Sequence, residues 1–86
     1  MKSFTYTIKD AEGVHARPAG ILCKACKAMA PNKVTVIKGE ETAACNKIFA
    51  LMSLGIKCGD EVTFTVEGPD EDAKLSELKE IVSTHL

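Results

Sequence analysis

Seven residues, Glu61-Val62-Thr63-Phe64-Thr65-Val66-Glu67, alternate polar and apolar without a break. Successive side chains of a strand point to opposite faces, so such a segment has one dry face and one wet face. Val62, Phe64 and Val66 need a cover, while Thr63 and Thr65 do not. Phe4, Tyr6 and Ile8 repeat the pattern against Ser3, Thr5 and Thr7, giving a first strand with one buried face. Val34-Thr35-Val36-Ile37 reads as a second strand, and Gly39-Glu40 as a hairpin turn. The turn leads into a weaker third strand, Glu41 to Cys45, which carries two alanines of low strand preference.

The cover comes from segments of helical period. Ala19, Leu22, Cys23, Cys26 and Met29/Ala30 recur on one side of a helix, with Lys24 and Lys27 on the other. Pro31-Asn32 ends this helix. Asn46 is expected to cap a short helix over Lys47 to Leu54, with Gly55 as its stop. Gly68-Pro69-Asp70 opens a last helix, with Glu71 and Asp72 at its positive end and Leu75, Leu78, Ile81 and Val82 as its stripe. The order is therefore β-α-β-β-α-β-α. This is an α+β open-faced sandwich, a four-stranded antiparallel sheet with three helices on one face, in one domain over 1–86. At 86 residues the core needs no metal or disulfide staple. A net charge of −1 lacks the basic excess that nucleic acid demands. The sequence shows no signal peptide and no run of membrane-spanning length, so a cytoplasmic protein without membrane insertion is expected, its four cysteines reduced.

Gly13-Val14-His15-Ala16-Arg17-Pro18-Ala19 is poor core material and good site material. Gly13 lets the chain turn out of the first strand, and Pro18 suits the first turn of a helix starting about Arg17. His15 then stands at or just before a helix N-terminus, where free N–H groups and the positive dipole end favour an anion such as phosphate. Imidazole is a nucleophile near neutral pH. Arg17, the sole arginine, offers a fork of donors for phosphoryl oxygens. These residues alone leave two readings open: a histidine that accepts a phosphoryl group, or a plain polar surface residue or cap.

The stretch resembles the phosphorylation-site motif of the histidine-containing phosphocarrier (HPr) family of the phosphoenolpyruvate-dependent sugar phosphotransferase system. Lys47-Ile48-Phe49-Ala50-Leu51-Met52-Ser53-Leu54-Gly55 resembles that family's second signature, and Gly59-Asp60-Glu61-Val62 continues it. The resemblance implies the same open-faced sandwich and phosphorylation at Nδ1 of His15. It further implies stabilisation by Arg17 and by the Ala16 and Arg17 backbone N–H groups. The implied role is that of a carrier rather than an enzyme, without cofactor or metal. It takes the group from enzyme I and hands it to IIA domains, most simply as a monomer. A relative serving a nitrogen-related or regulatory relay would use the same chemistry. Where one branch of the family carries a regulatory serine, this chain has Lys47, so no such serine is expected.

A short helix cannot turn Ile48, Phe49, Leu51 and Met52 all inward. Leu51 is expected in the core. Phe49 and Met52, with Ile48, are expected to form an exposed docking patch beside Gly20, ringed by Lys24, Lys27, Lys47 and Lys57. Cys23 and Cys26 have C-x-x-C spacing but share the apolar helix face, and Cys45 and Cys58 form no second pair. They read as small buried hydrophobes rather than a zinc site, with a redox module the competing function. His85 reads as a solvated residue of a frayed last turn.

Overall fold

The structure is a computed structural model that describes residues 1–11 and 16–86, with Ala16 described by its backbone alone. Its elements are β1 (Lys2–Thr7), α1 (Ala16–Ala28), β2 (Lys33–Lys38), β3 (Glu41–Ala44), α2 (Ile48–Met52), β4 (Glu61–Glu67) and α3 (Glu71–His85). The four strands form one antiparallel sheet in the order β1-β4-β2-β3. The cleanly alternating strand, β4, thus lies inside the sheet between the first and second. Phe4 faces Phe64 and Thr5 faces Thr63 across β1 and β4, while Val36 faces Phe64 across β2 and β4.

The alternation sorts as expected. Val34, Val36, Ala43, Val62, Phe64 and Val66 are buried beneath the helices, with the Phe4 ring stacked on Phe64 at a centroid distance of 5.2 Å. α1 adds Ala19, Leu22, Cys23, Cys26 and Met29, α2 adds Leu51, and α3 adds Leu78 and Val82 with Leu75 and Ile81 partly covered. A side chain such as Leu51, fully buried, contributes about 1.5–3 kcal/mol of burial free energy. Removing it would also open a cavity under α2.

The ends of α1 and α2 differ from expectation, and β3 stops at Ala44, one residue short of Cys45. α1 starts at Ala16 rather than about Arg17. Pro18 therefore falls in the first turn at a position whose N–H would have no intrahelical acceptor anyway. α1 also ends at Ala28. Met29, Ala30 and Asn32 then donate to the carbonyls three residues back at 3.1, 3.4 and 2.9 Å, a tightened exit that carries the chain to Pro31. α2 covers Ile48–Met52 only, and its N-cap is Lys47, which makes no side-chain cap bond. Asn46 is not the cap, because the backbone enters helical geometry one residue later than its side chain requires.

Asn32 is the polar residue buried where α1 leaves for β2. Its Nδ2 donates to the Met29 carbonyl and its Oδ1 accepts the Asp70 N–H, each at 3.1 Å. One side chain thereby ties the end of α1 to the start of α3. Gly68 passes so close, at φ +152°, that an added Cβ would lie 2.8 Å from the Asn32 Cα. Asp70 precedes α3 without a side-chain cap bond. Glu71, the first residue of α3, instead ties the approach to the helix, accepting the Gly68 N–H at 3.0 Å and the Met1 ammonium at 3.0 Å.

Candidate functional site

His15 and Gly13 lie outside the described residues, as does the Ala16 side chain. The surroundings of the motif are described. Arg17 is exposed in the first turn of α1, while Pro18 and Ala19 are buried beneath it and hold that turn in place. On the other side, the Leu86 carbonyl oxygen accepts the Lys9 and Asp10 N–H groups at 2.6 and 2.8 Å. The end of α3 is therefore bonded to the segment that leads into the motif. Leu86 itself is buried and donates to the Val82 carbonyl at 2.8 Å, so the last turn is anchored. This corrects the picture of a frayed end.

Between these parts opens a cleft of about 590 Å³, lined by Asp10, Ala11, Arg17, Pro18, Ile21, Thr84 and His85. His85, expected as a solvated tail residue, is exposed but shares this cleft with Arg17. The two lie 68 positions apart, and nothing local in the sequence signals the meeting. The cleft sets a guanidinium, an imidazole and a hydroxyl beside the first turn of a 13-residue helix, and among its lining side chains the Asp10 carboxylate alone opposes a negative charge. Such a set suits an anionic group.

The second part of the site is the α1–α2 surface. Phe49 is 85% exposed, so its ring lies outside the core as an apolar group facing solvent. Met52 and Ile21 are each 37% exposed, and Ile48 is half-buried. Leu51 is fully buried, so α2 divides as its spacing requires. Ile21, which the sequence did not single out, lies in the lining of the cleft with Arg17. It sits on the lysine side of α1, away from the apolar stripe. Gly20 faces α2: a Cβ there would meet the Ile48 Cδ1 at 3.9 Å, an ordinary van der Waals contact. Lys24, Lys27, Lys47 and Lys57 are all exposed.

The exit of α2 is held by a group that the sequence does not advertise. Lys38, at the end of β2, donates through Nζ to the Leu54 and Gly55 carbonyls at 3.3 and 3.0 Å, and pairs with Asp60 at 3.2 Å. Asp60 also accepts the Lys57 N–H at 2.8 Å. That backbone bond, then the Lys38 ammonium, holds the Asp60 carboxyl below the usual carboxylate range. The Gly68 N–H and then the N-terminal ammonium act likewise on Glu71. The Lys38 contacts tie the chain just after α2 to the end of β2.

Cys23, Cys26 and Cys45 are buried free thiols, and Cys58 is exposed. Folding brings Cys45, isolated in sequence, against Cys26. A hydrogen bond with that thiol, together with burial, pushes Cys45 well above the usual thiol range. A neutral, enclosed thiol is a poor nucleophile. Among the described residues no cluster of histidine, cysteine or acidic side chains could hold a metal ion. Among them, too, no helix is long and apolar enough to cross a membrane.

Fold and site together define a small open-faced sandwich that carries an arginine-bearing helix start and an exposed apolar patch on its second helix. Comparisons with known proteins narrow this class. The family profile described as PTS HPr component phosphorylation site matches residues 2–84. The chain is 38% identical over 86 residues to the phosphocarrier protein HPr of Mycoplasma pneumoniae, covering 99% of this chain and 97% of that one. It is 41% identical over 80 residues to HPr of Mycoplasma genitalium, covering 92% and 90%. A solved mycoplasma histidine-containing phosphocarrier protein superposes with a TM-score of 0.91 at 31% identity, covering 99% and 97%. The chain belongs to the HPr family of phosphocarrier proteins of the phosphotransferase system.

Proposed function

We propose that residues 1–86 form a single phosphocarrier domain in which His15 accepts a phosphoryl group from phosphorylated enzyme I and passes it to IIA domains. The observation that carries this reading is Arg17 exposed in the first turn of α1 beside an open cleft, in a chain whose sequence runs through the motif Gly13 to Ala19 at that point. In each transfer the phosphorus–nitrogen bond to the donor histidine breaks as a bond to His15 Nδ1 forms, and the reverse follows at the IIA acceptor. Phosphoryl transfer asks mainly for positioning and charge stabilisation. Arg17 supplies charge and the N-terminal N–H groups of α1 supply donors. Phe49, Met52, Ile48 and Gly20 form the apolar docking surface, with Lys24, Lys27 and Lys47 steering acidic partner faces. Lys47 stands where a branch of the family has its regulatory serine, so serine-kinase control is absent from this reading.

The test is intact-mass analysis after incubation with phosphoenolpyruvate and catalytic enzyme I, beside a His15→Ala control. One acid-labile phosphoryl group on the wild type and none on the variant is expected. No mass increase, with an authentic family member labelled in the same tube, refutes the assignment.

A further inference from the structure

Two of the buried thiols meet where α1 ends and β3 gives way to α2. Cys26 stands in the last turn of α1, and Cys45 follows β3 directly, three residues ahead of α2. Cys45 is fully buried, and its thiol is hydrogen-bonded to that of Cys26. Its backbone is pinned as well, the N–H donating to the Val34 carbonyl at 2.9 Å. Cys23, the third buried thiol, lies one turn back on α1.

Geometry decides which two of the three can bridge. A disulfide needs Cβ atoms about 3.5–4.5 Å apart. Residues three apart on a helix hold theirs about 5–6 Å apart, and α1 runs unbroken through Cys23 and Cys26. That pair would have to unwind the helix to join. Cys45 comes from another element, so no helical spacing holds it off, and its sulfur already meets Cys26. Access is just as selective. A groove of about 330 Å³ is walled by Cys26, Ala30 and Pro31 on the α1 side and by Thr35, Ala44 and Asn46 on the sheet side. Ala44 and Asn46 flank Cys45 in the chain, but of the buried thiols Cys26 alone lines the groove. A polar groove of this kind admits a molecule about the size of water. A bulky alkylating reagent is kept from a residue that is only 4% exposed.

We propose that Cys26 and Cys45 are a redox modification site, at which hydrogen peroxide entering by this groove joins the two thiols in a disulfide between the end of α1 and the approach to α2. The Cys26 Sγ attacks one peroxide oxygen and the O–O bond breaks. The thiol hydrogen leaves with the departing hydroxide as water, and Cys26 becomes a sulfenic acid. The Cys45 Sγ then attacks the Cys26 sulfur, the S–O bond breaks, and the Cys45 hydrogen leaves with the hydroxyl as a second water. Two thiols are oxidised and one peroxide is reduced to two waters. Burial sets the order: the oxidant meets Cys26, and the enclosed Cys45 acts only on the sulfur it already touches. A disulfide holds its sulfurs about 2.05 Å apart, closer than hydrogen-bonded thiols rest. The bridge therefore draws the backbone after β3 toward α1. The proposal stands independently of the phosphocarrier reading.

The test treats the folded full chain carrying Cys58→Ser, which removes the exposed thiol, with hydrogen peroxide. The protein is then unfolded in an alkylating reagent and mapped by peptide mass. It should lose two hydrogens and two of its three alkylatable thiols, with the bridge mapped to Cys26 and Cys45 and reversed by dithiothreitol. Adding Cys45→Ala should leave Cys26 as a sulfenic acid that dimedone traps, whereas adding Cys23→Ala should leave the bridge intact. The same mapping on peroxide-treated wild type needs no core substitution and decides the matter if a variant fails to fold. Thiols that all remain alkylatable, a bridge between Cys23 and Cys26, or a bridge that forms only in urea would each overturn the proposal.

Discussion

Replacing Lys47 with serine should stabilise this protein by about 1–2 kcal/mol in low salt. Lys47 occupies the N-cap of α2 with φ −120° and ψ 103°, the extended geometry of a cap residue, and its carbonyl accepts the Leu51 N–H at 2.9 Å. Its side chain makes no cap hydrogen bond. A serine hydroxyl at that position reaches the N–H of Phe49 or Ala50, which a cap typically rewards with about 1 kcal/mol. Taking an ammonium away from the positive end of the helix adds about 0.3–1 kcal/mol, and salt screens that part. Lys47→Ala separates the two, since it removes the charge without supplying an acceptor. For a domain of this size each 1 kcal/mol corresponds to a Tm shift of about 4–8 °C. Calorimetric melting should therefore rank serine above alanine above lysine in low salt, with alanine and lysine converging in high salt while serine stays ahead. A serine variant melting no higher than the alanine variant would refute the cap argument.

Four further outcomes are expected. Phe49→Ala should slow phosphoryl transfer from enzyme I while changing stability by no more than about 0.5 kcal/mol, because the ring is 85% exposed; an unchanged transfer rate would remove Phe49 from the docking surface. Gly68→Ala should cost about 2–4 kcal/mol in urea unfolding, combining backbone strain with loss of the Asn32 bonds, and a loss below about 1 kcal/mol would contradict the close approach. Asp60 and Glu71 have folded pKa values below their unfolded ones, so their stabilisation is complete above the ordinary carboxylate range and is lost as pH falls through the depressed values. Asp60→Asn with Glu71→Gln should therefore flatten the acid limb of the stability curve, and an unchanged limb would show that these carboxylates do not shape it. In native protein a thiol reagent should label Cys58 rapidly and Cys23, Cys26 and Cys45 only on unfolding; fast labelling of a second thiol would show the cluster to be open.

Element types were legible because they are local. A period of two over Glu61–Glu67 and a period of 3.6 over Ala19–Met29 report within one window which side of a segment is dry. The division of α2 into buried Leu51 and exposed Phe49 follows from the same geometry over five residues. Neighbours across the fold were not legible, because a contact between distant segments leaves no local period. The strand order β1-β4-β2-β3, the three-way hold of Lys38 on Leu54, Gly55 and Asp60, and the bridge from Asn32 to Asp70 are all of that kind. So is the cleft that Arg17 shares with His85. The sequence by itself determined that a histidine and an arginine accompany the start of one helix and that a short amphipathic helix follows later in the chain. Tertiary structure alone decided what surrounds Arg17, how α2 is aimed and which strand is left at the edge, because those depend on how sheet and helices close over one another.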